Sequence, residues 1–326
     1  MEVVYNSHNF SRSRGASFLG TNILSFTVQE LMWSAITVGR ANFLDVMSHG
    51  IYSEYEILYR ASILVANLAQ NRRTLVKSSA YESLDPSEKS AVSYFLGLTF
   101  TKLLSAKLLD TPWLLHIDVY RDQFAASGQA FGFGSSRKRP DLIGLSRRRN
   151  WIILESKGRT NSMEGTLLAS AKNQTRNLRR IGLDIPSLRV AVVTYFINGN
   201  LLIDWADPEG YNDDYFDIET DMEEYLSNYY KVIYNILSTN RSSSNELGGY
   251  ITYTFEAVNL TIGLDRKIFT AYESKSLKDI RPLRLSNYEP FSSIADQDFF
   301  AGSDGIIVGL GSNWRELIRT NKKFNE

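Results

Sequence analysis

The sequence contains no cysteine and only three histidines, His8, His49 and His116. The absence of cysteine excludes disulfide frameworks, thiol nucleophiles and cysteine-bound zinc. Three histidines leave little material for a histidine-based zinc site or a Ser-His-Asp triad. The chemistry of the chain is therefore expected to depend on carboxylates or on a metal ion.

Long apolar segments are also missing. No apolar run approaches the roughly 18 residues that a membrane-spanning helix needs. The N-terminal residues 1–4 lack the basic start of a secretory signal. We therefore expect a cytoplasmic protein without membrane contact. Of its 326 residues, 43% are hydrophobic, which is too apolar for a disordered chain and enough for one large domain or two modest ones.

Neither sign of charge dominates, since 36 basic residues balance 36 acidic ones. This balance argues against a uniformly basic nucleic-acid coat, but the charges are segregated. Residues 137–189 contain 13 basic and 4 acidic residues, and residues 204–224 contain 10 acidic and no basic residues. The basic block could attract a polyanion, or the two blocks could be solvated faces that pair with each other. We favour a solvated face for the acidic block and leave the basic block open.

The hydrophobic pattern predicts an α/β protein with a mixed central sheet flanked by helices. Strands are predicted at 113–120, 139–145, 151–157, 188–197, 201–205 and within 250–264, helices at 27–71, 86–109, 162–181 and 217–237, and irregular segments at 1–22, 121–138 and 239–249. We expect an N-terminal helical region (1–85), a catalytic core (86–238) and a C-terminal α+β region (250–326) for substrate selection or oligomerisation.

Three charged residues fall at the ends of two neighbouring predicted strands. Glu155 and Lys157 are two residues apart and therefore share one face of their strand. If the strands pair as a hairpin across 146–150, Asp141 near the start of the first strand faces Glu155. Two carboxylates and one ammonium group then meet at one edge of the sheet.

Such a group needs a compensating charge, because burying ions is costly and neighbouring carboxylates repel each other. A divalent cation removes both problems. Two carboxylates, a main-chain carbonyl and water are ligands that Mg²⁺ accepts. We therefore expect a Mg²⁺ site that could also take Mn²⁺, with Lys157 holding the attacking water or a transition-state oxygen.

Pro140-Asp141, a short gap and Glu155-Ser156-Lys157 resemble the PD-(D/E)XK motif of restriction-endonuclease-like nucleases. The resemblance covers about residues 86–205 and implies the same core, a strand-strand-strand-helix-strand order. It implies that Asp141 and Glu155 bind the metal together with the carbonyl of Ser156, and that Lys157 is the catalytic base or positions the water.

The resemblance also implies a role for the helix that follows the motif. Gln174 lies on the apolar stripe of that helix and is expected to be an auxiliary catalytic residue. The implied function is a Mg²⁺-dependent nuclease that hydrolyses phosphodiester bonds, with DNA as the first candidate substrate. Restriction or antiviral defence is the implied setting, and a homodimer would allow both strands to be cut.

Basic residues near the motif are candidate contacts for nucleic-acid phosphates: Arg137, Lys138, Arg139, Arg159, Lys172 and Arg176. Those on the helix could equally form an ordinary solvated face. His116 and Asp118 alternate with apolar residues on the first core strand. They could line the site, although we favour the polar face of a half-buried strand.

One expected acid is missing, because many PD-(D/E)XK members carry a Glu on the helix before the first core strand. Residues 91–109 contain no acid, which leaves Glu54, Glu56 or Glu88 as candidates. The alternative function is therefore a catalytically degenerate, nucleic-acid-binding or scaffold protein. A third hypothesis is a partner-binding protein that uses the acidic, Tyr-rich helix predicted at 217–237.

The motif also has a structural interpretation without chemistry. Glu155 and Lys157 could form an ion pair at the surface end of a strand, which contributes only about 0–1 kcal/mol. That interpretation leaves Asp141 and Gln174 unexplained, and we therefore favour the nuclease-like site.

Overall fold

The computed structural model describes residues 1–39, 52–120, 139–207, 210–212, 215–277 and 297–314. Its strands are β1 (Glu2–His8), β2 (Gly20–Ser25), β3 (Leu68–Asn71), β4 (Thr74–Lys77), β5 (Trp113–His116), β6 (Leu142–Leu145), β7 (Trp151–Gly158), β8 (Leu178–Ile181), β9 (Leu188–Ile197), β10 (Asn200–Ala206), β11 (Phe216–Ile218), β12 (Asn245–Leu247), β13 (Tyr250–Phe255), β14 (Leu260–Asp265), β15 (Gln297–Ala301) and β16 (Ile306–Gly311). Its helices are α1 (Val28–Thr37), α2 (Tyr52–Asn67), α3 (Ser79–Ser83), α4 (Pro86–Leu108), α5 (Gly165–Thr175), α6 (Met222–Thr239) and α7 (Arg266–Glu273). The predicted loop 121–138, with Arg137 and Lys138, lies outside the described residues.

Nine of the described strands form a mixed central sheet. Its order is β2-β1-β4-β10-β9-β7-β6-β5, with β3 paired to β4. β7 and β9 are parallel, whereas β5, β6 and β7 are antiparallel neighbours. This architecture confirms the general α/β class with a large mixed sheet that the sequence predicts.

Helices cover both faces of the sheet at β7 and β9. α4 packs on one face, where Thr101 Oγ1 donates to Ser156 Oγ at 3.0 Å. α5 packs on the other face, where Leu167 lies against Val193 and Tyr195. Because both faces are covered, every residue of β9 except the last is buried.

Five further described strands form an antiparallel sheet near the C-terminus, in the order β12-β13-β14-β16-β15. A buried polar cluster joins this sheet to α4. Lys102 Nζ donates to the Tyr229 hydroxyl at 2.7 Å and lies 3.9 Å from Asp304 Oδ2. Burial lowers the pKa of Lys102 to about 7, opposed by the charge of Asp304. Trp33 Nε1 donates to Asp304 Oδ1 at 3.1 Å, which adds α1 to the cluster.

The start of the helix predicted at 86–109 is confirmed, and Asp85 is its N-cap residue. The Asp85 carboxylate accepts the N–H groups of Ser87 at 2.6 Å and Glu88 at 3.2 Å, while Glu88 Oε2 accepts the N–H of Asp85 at 3.1 Å. This capping box satisfies backbone donors that the first turn leaves free. It explains why α4 begins at Pro86.

The prediction that residues 1–22 are irregular is wrong. Residues 1–85 contribute β1, β2, β3 and β4 to the central sheet besides their helices. β1 buries Val3, Tyr5 and Ser7 on one face and pairs with β2 and β10. This alternation was not recognised in the sequence because three of its residues are polar: Asn6, Ser7 and His8. Their polar groups are hydrogen-bonded to partners that lie far away in sequence.

The predicted helix 162–181 is too long, because α5 ends at Thr175. Leu178 and Ile181 instead lie on β8, which pairs in parallel with β11. Asn212 ends the helix by donating its side-chain N–H to the carbonyl of Asn173 at 3.2 Å. An apolar spacing of three residues fits both a helix and this short, irregular strand, so the pattern could not separate them.

Three other predicted boundaries also change. The strand predicted at 113–120 ends at His116 and continues as a short 3₁₀ helix, Ile117–Tyr120. The helix predicted at 217–237 begins five residues later, after β11. The irregular segment predicted at 239–249 contains β12, which is completed by pairing with β13.

Candidate functional site

The β6–β7 hairpin brings Asp141 and Glu155 together. Its register pairs Leu142 with Leu154, so Asp141 lies opposite Glu155. The N–H of Asp141 donates to Glu155 Oε2 at 2.9 Å, and the N–H of Ser156 donates to Asp141 Oδ2 at 3.0 Å. Each carboxylate is therefore held by the backbone of the other strand, as the predicted pairing requires.

Close packing between α4 and the end of β7 fixes this edge of the sheet. A Cβ atom on Gly158 would lie 1.7 Å from the carbonyl oxygen of Ser93. A Cβ on Gly97 would lie 3.1 Å from Ser156 Oγ. Only glycine at position 158 allows helix and strand to approach this closely.

Burial gives the two carboxylates unusual electrostatics. Glu155 is 0% exposed, and burial followed by the charge of Asp141 raises its pKa to about 8. Burial also raises the pKa of Asp141, opposed by Lys157 and by the hydrogen bond from Ser156. Because the pair repels, the protonated form of one carboxyl group is favoured at neutral pH.

Lys157 contacts Glu155 on the shared strand face. The Lys157 ammonium forms an ion pair with Glu155 Oε1, but the contact lacks hydrogen-bond geometry. The Lys157 side chain is 31% exposed, whereas the Glu155 side chain is fully buried. The alternative that Glu155 and Lys157 form an ion pair at the surface is therefore wrong, because the Glu155 carboxyl group is buried.

Gln174 reaches the segment that leads into Asp141. Its Nε2 donates to the carbonyl oxygen of Arg139. The partner that a buried amide needs thus lies two residues before Asp141, at the edge expected from the sequence. Gln174 orients the Arg139-Pro140 backbone rather than contacting either carboxylate through this bond.

The basic residues near the site differ in their surroundings. Arg139 Nη1 lies 3.8 Å from Asp118 Oδ1, and Arg159 is exposed just beyond β7. Lys172 is half-buried on α5. Arg176, at the end of α5, has a buried Nε without a hydrogen-bond partner in the structure. Arg159 is therefore the described member of this set most accessible to a phosphate.

Part of the basic block pairs with the acidic block. Arg179 and Arg180 both donate to Asp217, and Arg180 Nη2 reaches Asp217 Oδ2 at 2.9 Å. These arginines lower the pKa of Asp217, although burial acts in the opposite direction. For these residues the pairing of solvated faces is confirmed.

Tyr94, which the sequence analysis did not single out, also lies at this edge. Its hydroxyl is 3.4 Å from His116 Nε2. Burial, followed by the charges of Asp141, Glu155 and Asp118, raises its pKa to about 12. The pattern gave no signal for Tyr94, because α4 has apolar residues all around its axis and no distinct polar face.

His116 and Asp118 lie beside the same carboxylates. His116 pairs with Leu142 on the neighbouring strand, next to Asp141. His116 Nδ1 accepts the N–H of Asp118 at 3.2 Å. The half-buried strand with a polar face that we favoured from the sequence is therefore wrong, because β5 is buried throughout and Asp118 lies on the 3₁₀ helix.

The acids considered as a third ligand are engaged elsewhere. Glu54 Oε1 accepts from Asn240 Nδ2 at 2.7 Å, and Glu56 Oε1 accepts from Arg60 Nε at 3.0 Å. Glu88 caps α4. None of these three contacts involves Asp141 or Glu155.

A divalent cation fits the donors that the described residues supply. Glu155 is buried, Asp141 is half-buried, and the pKa values of both are raised, so a bound cation would offset the cost of ionising the two carboxyl groups together. The Ser156 side chain faces α4, so only its carbonyl is left as a ligand. Among the described residues, no group of three or more His, Asp or Glu side chains could hold a metal ion. The remaining ligands would be carbonyl, water or substrate oxygens, which Mg²⁺ accepts.

The tyrosines of α6 pack within the chain, and Tyr234 stacks on Tyr272. Tyr225, Tyr229 and Tyr230 are buried inside the chain. The Tyr225 hydroxyl donates to the carbonyl of Ile143 at 2.8 Å, and Tyr230 accepts from Trp113 Nε1 at 2.7 Å. These three tyrosines of the helix that was proposed as an interface are therefore part of the core and not of its surface.

Compared with protein-family models, curated proteins and solved structures, the chain matches none. Among the described residues, no helix is both long and apolar enough to span a bilayer.

Proposed function

We propose that the protein is a metal-dependent nuclease that hydrolyses phosphodiester bonds, with DNA as its first candidate substrate. The observation that supports this most is the meeting of the buried Glu155 carboxylate and the half-buried Asp141 carboxylate with the Lys157 ammonium across one hairpin. The central-sheet strands β5, β6 and β7, then α5 and then β9, support a restriction-endonuclease-like core, since this order agrees with the one that the motif implies, although β8 of the two-stranded sheet lies between α5 and β9.

Each residue of the site would have its own role in hydrolysis. Asp141, Glu155 and the carbonyl of Ser156 would hold the cation. Bound Mg²⁺ or Mn²⁺ would supply positive charge to the phosphate and acidify water. Lys157 would orient the attacking water and stabilise charge on the phosphate oxygens. Gln174 keeps the Arg139-Pro140 segment in place and with it the position of Asp141.

The surroundings of the site suit a polyanion. Arg159 is exposed directly after β7, and Lys172 lies on the helix above. Arg139 and Arg176 complete the described basic set, and Arg137 and Lys138 belong to the same proposal. These charges would position the phosphate backbone without reading its sequence.

The wider setting is part of the proposal. A homodimer would allow two sites to cut both strands, and the C-terminal sheet would select substrate or support assembly. Restriction or antiviral defence in the cytoplasm agrees with such an activity.

The proposal is tested with supercoiled plasmid and single-stranded DNA, each with Mg²⁺, Mn²⁺ or chelator. Glu155→Ala and Lys157→Ala should each lower cleavage at least about 100-fold, as expected for removal of transition-state stabilisation. Glu246→Gln is the matched control, since it removes an exposed carboxylate that pairs with Arg266. Cleavage that survives both site variants, or that does not need a metal, would contradict the proposal.

The described residues also favour one alternative, a nuclease fold without activity that binds nucleic acid. Its support is the lack of a third acidic ligand among them. Binding of both DNA forms without cutting under any metal condition would favour this alternative.

A further inference from the structure

Tyr94 lies on α4, where the charges of Asp141 and Glu155 act on its hydroxyl. The neighbouring Ser93 packs tightly against the end of β7, because a Cβ atom on Gly158 would lie 1.7 Å from the Ser93 carbonyl oxygen. Tyr94 is nevertheless 45% exposed. Its phenol ring thus stands at the border between the buried acids and solvent.

The hydrogen bonds of His116 fix the role of the Tyr94 hydroxyl. His116 Nδ1 accepts the backbone N–H of Asp118 at 3.2 Å, so the proton of a neutral imidazole lies on Nε2. Nε2 is 3.4 Å from the Tyr94 oxygen and therefore donates to it. The phenol proton is then left for another acceptor.

A substrate phosphate is the acceptor that this position suits. A phenol is neutral at physiological pH, so it can approach an anion without adding charge to the carboxylate pair. During phosphodiester hydrolysis, negative charge develops on the non-bridging oxygens, and a fixed donor stabilises it. No proton needs to leave Tyr94 for this effect.

We infer that Tyr94 is a further catalytic residue whose hydroxyl donates to a non-bridging oxygen of the scissile phosphate, with His116 as its positioning residue. The inference rests on the proposed function and names a substrate contact within the same site. α4 would then contribute to catalysis through the neutral hydroxyl of Tyr94, although residues 91–109 of this helix contain no acid.

Tyr94→Phe tests the inference with the smallest change, because it removes only the hydroxyl. With a 5′-labelled DNA duplex and Mg²⁺, kcat should fall roughly 10- to 100-fold, the effect of one hydrogen bond to a charged group. KM should change less than about threefold, since the contact strengthens only as charge develops. Tyr211→Phe is the matched control, with 44% exposure and a ring that lies against Arg189 and Tyr215.

His116→Gln tests the positioning role. The amide can still donate to the phenol oxygen but cannot reproduce the imidazole geometry, so kcat should fall less than in Tyr94→Phe. The double variant should be no slower than Tyr94→Phe alone. Additive losses would overturn the coupling between the two residues.

A second measurement does not depend on turnover. 3-Fluorotyrosine introduced at position 94 should change its ¹⁹F chemical shift when phosphorothioate DNA binds in Ca²⁺, and the same probe at position 211 should not. Cleavage by the wild type with unchanged kcat in Tyr94→Phe would overturn the role of Tyr94 and leave the nuclease intact. An inert wild type would instead overturn the proposed function, and an unshifted ¹⁹F signal would overturn the contact.

Discussion

Cation binding at the candidate site should release a proton, because Glu155 must ionise to become a ligand. Its pKa is raised to about 8 by burial and by the charge of Asp141. With a pKa near 8, Glu155 is mostly protonated at pH 6.5 and mostly ionised at pH 8.5. The apparent affinity for Mg²⁺ or Mn²⁺ should therefore rise on the order of tenfold between these two pH values.

Calorimetry measures this linkage directly. Titrating Mn²⁺ at pH 7 in two buffers of different ionisation enthalpy should show the release of most of one proton per cation, because Glu155 is still mainly protonated at that pH. Glu155→Gln should abolish the release and weaken binding. Glu246→Gln should change neither quantity, since that carboxylate lies in an exposed ion pair.

Two results would refute the reasoning. A proton release near zero at pH 7, together with an affinity that stays flat across pH, would show that Glu155 is already ionised. Full release that persists in Glu155→Gln would show that another group supplies the proton.

Stability measurements give three further predictions. The raised pKa of Glu155 contributes stability below pH 4.5, and this contribution is lost as pH rises toward 8. In urea unfolding with chelator, Glu155→Gln should therefore gain more stability over the wild type at pH 8.5 than at pH 5, and a pH-independent difference would contradict this. Lys102→Met should lower the free energy of unfolding by about 3–5 kcal/mol, because it leaves Asp304 buried without its cation. Adding Asp304→Asn should recover part of that loss, and strictly additive losses in the double-mutant cycle would argue against the pair. Gly158→Ala should lower the melting temperature strongly, because its Cβ would overlap a helix carbonyl, whereas Gly165→Ala, with open space around it, should not. Equal melting temperatures for the two glycine variants would disprove the close packing.

The candidate site was predictable from sequence where local rules decide the structure. Two strands joined across 146–150 leave few registers, and the alternation of apolar residues with Glu155 and Lys157 selects one of them. The capping residues likewise located the start of α4. In both cases the relevant contacts lie close together in sequence.

Features that depend on distant contacts were not predictable. β1 becomes a strand by pairing with β10, about 200 residues later, and the end of α5 is set by Asn212. Tyr94 joins the site only because α4 packs tightly on β7. A single sequence carries no direct signal for such pairings, which tertiary packing decides.

The reciprocal backbone bonds between Asp141 and Glu155 have a consequence for how this chain can vary. A one-residue insertion inside β6 or β7 would turn one acid toward the opposite layer and remove its anchoring amide. The connection at 146–150 closes on itself, since Ser146 and Asn150 bond each other, so added length there would leave the paired positions undisturbed. We therefore expect insertions to be tolerated in the connection at 146–150, and an insertion only a few residues away within β6 or β7 to disrupt the site.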